Sequence, residues 1–349
     1  MKVTMEKIAE LAGVSLSTVS RSLNDSPEIS QKTKARIRDI CAKYGYNVNA
    51  AASSLRRQSP GSLGLVIPFA GAVEGDFNSP FILEMVGKIT SISAEHGYDV
   101  IVSLSHQLGR LSKQKLYAAG KVDALIIIGQ GHEHESLNRL HEEGVPFVVW
   151  GDMLERQLYP TIGGPNLEKQ LYATIGGDNL EGGRLATQHL LDTGRKNILF
   201  IGEFRLPEVH LRYHGHCRAL NEAGLSNSQD GVFDITFSSV SDARRKIAEL
   251  LSDRPGVDAI CAASDFLGVA AIHALAEFGL NVPRDVAVTG YDDIYLADLS
   301  SPTLTSVHQD LDIGSQKLVE AAMALGRGEP AANFTVPTYL VERKSSAIL

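Results

Sequence analysis

From Leu63 onward the sequence alternates short apolar runs with amphipathic stretches, and that alternation restricts the fold more than any other feature. LGLVIP, YDVIVSLS, DALIIIG and PFVVWGD are runs of strand length, while segments between them, such as FILEMVGKITSISAEHG, carry apolar residues at helical spacing. NILFIG, GVFDITF, VDAICAAS and DVAVTGYDD repeat the scheme after residue 190. Strands alternating with helices pair in parallel, because each crossover helix returns the chain to the same edge of the sheet. The pattern predicts an α/β body, 62–349, of two doubly wound parallel-sheet lobes. One lobe is expected over about 62–151 with 310–332, the other over 180–309 with 333–349, and the first crossing between them within 152–179.

The residues ahead of this body have a different character. Residues 1–57 hold ten Lys/Arg against five Asp/Glu and the remainder 23 against 36, so a net charge of −8 conceals a basic head on an acidic body. A head of that sign suits nucleic acid, since phosphate neutralisation supplies most non-specific binding. Thr4 can cap a first helix with Ile8, Leu11 and Ala12 at helical spacing, and Gly13 can take the positive φ that ends it. Ser15 can cap a second helix, Leu16 to Leu23, with Thr18, Val19 and Leu23 inward and Leu16, Ser17, Ser20 and Arg21 outward. Ser30 opens a third helix, whose Ile37, Ile40, Cys41 and Tyr44 close a three-helix core. This is a helix-turn-helix over 1–46, in which the second helix lies along major-groove base edges. NVNAAASSLRRQSPGS has no core stripe and reads as a linker, 47–61, able to become helical when bound.

AGVSLSTVSRSLN, NAAASSL, DFLGVAAIHAL, VTGYDD and SPTLTSV, in that order, resemble the lactose/galactose-repressor family of bacterial regulators over essentially the whole chain. The resemblance implies a periplasmic-binding-protein-like body and a hinge helix that forms on DNA, with Leu55 wedged into the minor groove. It places DNA contacts at Thr4, Ser15, Leu16, Ser17, Thr18, Ser20, Arg21 and Asn24 of the head and at Asn49, Ala52, Leu55 and Arg56 of the hinge. Two positions depart from the family's habit, Val48 for a frequent proline and Ser53 for a frequent arginine, and the second removes a DNA contact.

Ligands of open parallel sheets bind outside the carboxyl ends of the strands. Asp76, Phe77 and Asn78, Ser264 and Asp265, and Tyr291, Asp292 and Asp293 all stand at such ends, and Arg212 lies in HLRYHGHCRAL. Carboxylates and arginine beside aromatics suit a polyol, offering paired acceptors and donors for hydroxyls and a flat apolar face for a ring. Asp265 and Asp293 equally suit caps of the helices that follow. Their strand-end positions make Phe77 and Asp265 candidate effector contacts, the resemblance implies contacts at Arg212, Ser264, Asp292 and Phe237, and Gln309 near the third crossover is expected to reach the same pocket.

The expected function is therefore a transcriptional regulator, most simply a repressor. It is expected to be a homodimer on operator DNA, controlled by a small-molecule effector, expected to be a sugar, between its lobes. The rivals are a sugar-binding transport protein, disfavoured by the basic head, and a sugar-acting enzyme, which needs facing carboxylates that adjacent Asp292 and Asp293 do not supply. No apolar run approaches membrane-spanning length, and a cytoplasmic protein without cofactor is expected. His210, His214 and His216 do not complete a metal site, and Cys41, Cys217 and Cys261 read as buried thiols. One oddity remains. Gln157–Lys169 is repeated as Gln170–Gly182 with three differences, Pro160/Ala173, Pro165/Asp178 and Lys169/Gly182. Proline lacks a ladder donor, so the second copy is expected to form the crossing and the first an irregular loop.

Overall fold

The computed structural model describes residues 3–23, 26–46, 60–68, 79–105, 116–130, 134–151, 172–225, 232–235 and 240–347. The chain divides into two compact units, Met1–Pro60 and Gly61–Leu349. In the first, α1 (Met5–Ala12) is capped by Thr4, whose hydroxyl accepts the Lys7 N–H, and ends on Gly13 at φ 61°. Ser15 Oγ accepts the Thr18 N–H at 3.1 Å to start α2 (Leu16–Leu23). Ser30 caps α3 (Gln31–Tyr44), which ends on Gly45 at φ 62°. Ile8, Ala9, Ala12, Val19, Ile37 and Cys41 form the buried centre, and Leu23 and Ile40 pack against it. Tyr44, expected in this core, is exposed.

The second unit holds two six-stranded sheets. The first is ordered β11-β5-β4-β3-β1-β2, from β1 (Ser62–Pro68), β2 (Asp99–Ser105), β3 (Ala124–Ile128), β4 (Phe147–Trp150), β5 (Tyr172–Gly177) and β11 (Phe334–Val336). Its described helices are α4 (Pro80–Glu95), α5 (His134–Glu142) and α11 (Leu311–Gly326). Both faces are buried: Leu63, Leu65, Ile126 and Val148 meet Leu318 on one, and Val66, Leu125, Ile127 and Val149 meet Leu137 and Leu140 on the other. Two-sided burial explains why these strands read as unbroken apolar runs.

The second sheet is ordered β12-β10-β9-β8-β6-β7, parallel except for β12. It is built from β6 (Ile198–Gly202), β7 (Val232–Asp234), β8 (Ala259–Ala262), β9 (Ala287–Asp292), β10 (Thr305–Gln309) and β12 (Thr338–Val341). With it go α6 (Asn179–Asp192), α7 (Pro207–Glu222), α8 (Val240–Ser252), α9 (Asp265–Glu277) and the short α10 (Tyr295–Leu299). The chain passes between sheets at Gly177–Asn179, Gln309–Leu311 and Val336–Thr338. The last passage corrects the sequence boundary of 333, because Phe334–Val336 still pairs with β5 of the first sheet.

The second copy of the duplicated stretch supplies β5 and the start of α6, and the first lies outside the described residues. Each difference between the copies has a structural meaning in the second. Ala173 sits in a strand paired on both sides, where proline would break the ladder. Asp178 caps α6 through the Glu181 N–H at 2.9 Å, which Pro165 has no side-chain acceptor to do. A Cβ at Gly182 would lie 2.2 Å from the Tyr291 hydroxyl, so the Lys169 of the first copy does not fit there.

Candidate functional site

On α2, the outward residues are those that the pattern assigns to DNA. Leu16 is 44% exposed, Ser15, Ser17 and Arg21 are also exposed, and Thr18 and Ser20 are half-buried. Ser15 is held by Ser17 Oγ and Thr18 Oγ1, each at 2.8 Å. Arg21 Nη1 meets Glu28 Oε2 at 3.1 Å, which holds the guanidinium at the surface. Thr4 caps α1. Asn24, Asn49, Ala52, Leu55 and Arg56 lie outside the described residues.

In the larger unit, Arg212, Asp292 and Gln309 come together at the carboxyl ends of the second sheet's strands. Arg212 is buried on α7, with its guanidinium carbon 3.7 Å from the centre of the Tyr291 ring. Its Nε donates to Asn179 Oδ1 at 2.8 Å, and its Nη1 donates to the Ala263 carbonyl. Nη2 lies 3.6 Å from Asp292 Oδ1, which also accepts Gln309 Nε2 at 2.8 Å. Both contacts fall on one oxygen, leaving Asp292 Oδ2 without a partner among the described residues. Burial pushes the Asp292 carboxyl up to about 6, although Arg212 and Gln309 pull it down; Glu208 and Glu84 add to the rise. Desolvation therefore outweighs a cation at 3.6 Å. Such a carboxylate gains from hydroxyl donors that replace lost water.

Ser264 follows Ala263, beside Arg212, and caps α9 through the Leu267 N–H at 3.3 Å. Asp265 departs from its expected role. It is fully buried, one oxygen accepts the Ser306 hydroxyl, and the other accepts the Ile294 N–H at 2.9 Å. It ties β10 to the loop after β9 instead of joining Arg212. Burial, reinforced by Asp292, pushes its carboxyl well up. Neither Asp265 nor Asp293 is a cap: Ser264 serves α9, and Ile294 precedes α10 without a side-chain bond. Phe77 and Phe237, with Asp76 and Asn78, lie outside the described residues.

Sequence reasoning missed Asn179 and Thr338, and placed Tyr291 at a strand end without giving it a role. Asn179 holds Arg212, and its Nδ2 donates to the Gly177 carbonyl at 3.3 Å. Tyr291 lies beneath the guanidinium, and its hydroxyl donates to the Asp178 carbonyl at 3.3 Å. Thr338 Oγ1 accepts the Asp178 N–H at 3.1 Å. The Asp-Asn pair after a strand was the available signal for Asn179. His216 is buried, with Nδ1 2.9 Å from Thr187 Oγ1, and burial lowers it to about 4. It belongs to the lobe interior, against Phe200 and Tyr213.

Residues 4–49 match the family of bacterial regulatory proteins described as the lacI family, and residues 187–346 match a periplasmic binding protein-like domain. Among individual proteins, the HTH-type transcriptional regulator CelR of Thermobifida fusca is 32% identical over 98% of each chain. The HTH-type transcriptional regulator DegA of Bacillus subtilis (strain 168) is 28% identical over 100% of this chain and 99% of that one. A solved transcriptional regulator CelR–cellobiose complex superposes with a TM-score of 0.68 at 29% identity, over 98% of this chain and 99% of that chain. The lac repressor dimer bound to operator and the anti-inducer ONPF shares the fold, with a TM-score of 0.79 at 24% identity over 99% of each chain.

Proposed function

This chain belongs to the lacI family of bacterial regulatory proteins, and we propose on that premise that the Arg212–Asp292–Gln309 cluster is the effector site of a sequence-specific transcriptional regulator. The observation that carries the reading is Asp292, a buried carboxylate with one oxygen held and the other without a partner among the described residues. A neutral polyol is the fitting class, because its hydroxyls donate to Asp292 while its oxygens accept from Arg212. Cellobiose is the first candidate, from the CelR complex. Ser264 flanks the cluster, and Phe77 and Phe237 are proposed as the flat faces for a sugar ring.

In the head, Ser15, Leu16, Ser17, Thr18, Ser20, Arg21 and Asn24 are proposed to meet operator DNA, with Thr4 at the phosphates. Asn49, Ala52, Leu55 and Arg56 of the hinge follow the groove. The active species is a homodimer on a pseudo-palindromic site, within the cytoplasm where operator DNA lies. Effector acts only through different affinities for the DNA-competent and incompetent arrangements. Regulation, with no catalytic turnover, follows from the family.

The test selects duplexes from a random pool with the full chain, then titrates the selected operator complex with cellobiose, lactose, ribose and glucose. One sugar should shift operator affinity without being consumed, and Arg212→Ala and Asp292→Ala should lose that response while still binding operator. Unchanged sugar affinity in both variants would place the effector elsewhere. Failure to enrich any sequence would remove the DNA-reading role.

A further inference from the structure

The end of β9 and the residue after it lie in the left-handed region, Asp292 at φ 105° and Asp293 at φ 53°. Residues other than glycine hold such backbone only where their surroundings impose it. Here the strongest hold falls on Asp293. Its Oδ1 accepts Arg343 Nη1 at 2.6 Å, and its Oδ2 lies 2.7 Å from His308 Nδ1. Its N–H donates to Ser306 Oγ at 3.1 Å. The two partners are themselves fixed. Arg343 Nε donates to Asp298 at 2.7 Å, its Nη1 also reaches the Leu304 carbonyl at 3.0 Å, and His308 stacks on Tyr339 with ring centres 4.6 Å apart.

We propose that Asp293 is the positioning residue of the effector site: gripped by Arg343 and His308, it keeps the Asp292 backbone left-handed and so aims the Asp292 carboxylate at Gln309 and Arg212. This rests on the effector reading of that cluster. The physical reason is that Asp292 gains by leaving. Its carboxylate is desolvated and its backbone is in an unfavoured region, so release of the loop lets it turn toward water. The pairs that oppose this are themselves shielded, with side-chain exposure of 9% for Asp293 and 15% for Arg343, so solvent screens them less than a surface pair. Asp265 serves the same end from the other side, through the Ile294 N–H.

Arg343→Met separates the two possible roles. If Arg343 were only a nearby cation, its loss would leave the Asp292 carboxyl at about 6 or raise it. If it grips Asp293, release of the loop exposes Asp292 and lowers its titration toward the ordinary carboxylate value of about 3.9. Arg212, Glu208, Glu84 and Asp265, the other charged groups facing Asp292, are unchanged in both proteins. The experiment follows the Asp292 carboxyl by carbon NMR in the full chain, with sugar affinity measured alongside by calorimetry.

Arg343→Met should lower the Asp292 titration and weaken sugar binding about tenfold or more, and Arg343→Lys should restore most of both. Asp293→Gly, which eases the backbone but removes the grip, should behave like Arg343→Met; should Arg343→Met fail to fold, Asp293→Gly decides. A raised or unmoved Asp292 titration in Arg343→Met, or parental sugar affinity in Asp293→Gly, overturns the proposal. The effector reading fails on a different result: equal sugar affinity in the parent and Arg212→Ala, whatever the Asp293 variants do.

Discussion

Replacing Gly183 with alanine tests how closely α6 and α7 must approach. A Cβ at Gly183 would lie 1.9 Å from the Arg212 carbonyl oxygen and 2.7 Å from its carbon, and one at Gly215 would lie 2.0 Å from the Leu180 oxygen. These neighbours are backbone and cannot rotate aside. Ordinary contact begins near 3.4 Å, so Gly183→Ala forces the helices apart by more than about 1 Å. The 2.8 Å bond between Asn179 and Arg212 spans the same two helices and would pass out of hydrogen-bond range. Overpacking of this kind costs about 1–3 kcal/mol, and the lost bond to a charged group adds about 1.5–3 kcal/mol. A combined loss of about 2.5–6 kcal/mol is a large part of a domain's usual stability. Urea unfolding followed by circular dichroism reads it directly, and sugar affinity should fall with it because Arg212 moves. Gly87→Ala on α4 is the control: nothing lies within 4 Å of its Cβ, and ordinary helix propensity predicts a gain of about 1 kcal/mol. If Gly183→Ala comes within 1 kcal/mol of the parent and binds sugar normally, the helix contact does not position Arg212.

Arg21→Ala should weaken operator binding by about 1–3 kcal/mol and relax preference at one base pair, measured on a panel of single-substitution operators; uniform weakening on every sequence would reduce Arg21 to a phosphate contact. Because burial raises the folded Asp292 carboxyl to about 6, its contribution to stability is fully present below about 4 and is lost as pH rises through 6. The parent should therefore lose up to about 3 kcal/mol relative to Asp292→Asn between those limits, while sugar affinity rises over the same range as the carboxylate ionises. Parallel pH profiles for the two proteins would contradict this. Deleting Gln157–Lys169 rejoins Arg156 to Gln170 and should leave stability within about 1 kcal/mol of the parent in the same urea assay; a variant that cannot fold would show that the first copy makes required contacts.

What the sequence disclosed depended on how far each residue reaches. Thr4, Ser15 and Ser30 bond to amides three residues on, so local chemistry was enough to find the helix starts. The choice between the duplicated copies was legible for the same reason, since a proline in a strand and a missing cap are local faults. The Gly182–Tyr291 contact spans more than a hundred residues and left no trace in either segment alone. Asp265 shows the limit at the site. A strand-end aspartate can aim into the cleft or across β9 to β10, and nothing in DFLGVAAIHAL distinguishes the two until Ser306 is placed beside it. The pairing of Arg343 with Asp293 was invisible because β10 and β12 bring them together from distant parts of the chain, and the Asp-Asn pair after β5 marked Asn179 without showing that it holds Arg212.

The three passages between the sheets converge. A Cβ on Gly177 would fall 2.4 Å from Gln309 Oε1 and 3.4 Å from Thr338 Oγ1, so the first passage touches the other two where all three leave their sheets. Three struts joined at separate points would fix one plate to another. Struts gathered at one point act as a pivot that resists sliding and stretching, and beside it Ile294 and Leu296 of the second lobe pack against the first lobe's core. Gln309 is a strut and also holds Asp292 of the proposed effector cluster. A molecule seated there as proposed would press at the pivot itself, where a small push has a short lever arm on its own side and the full length of each lobe on the other.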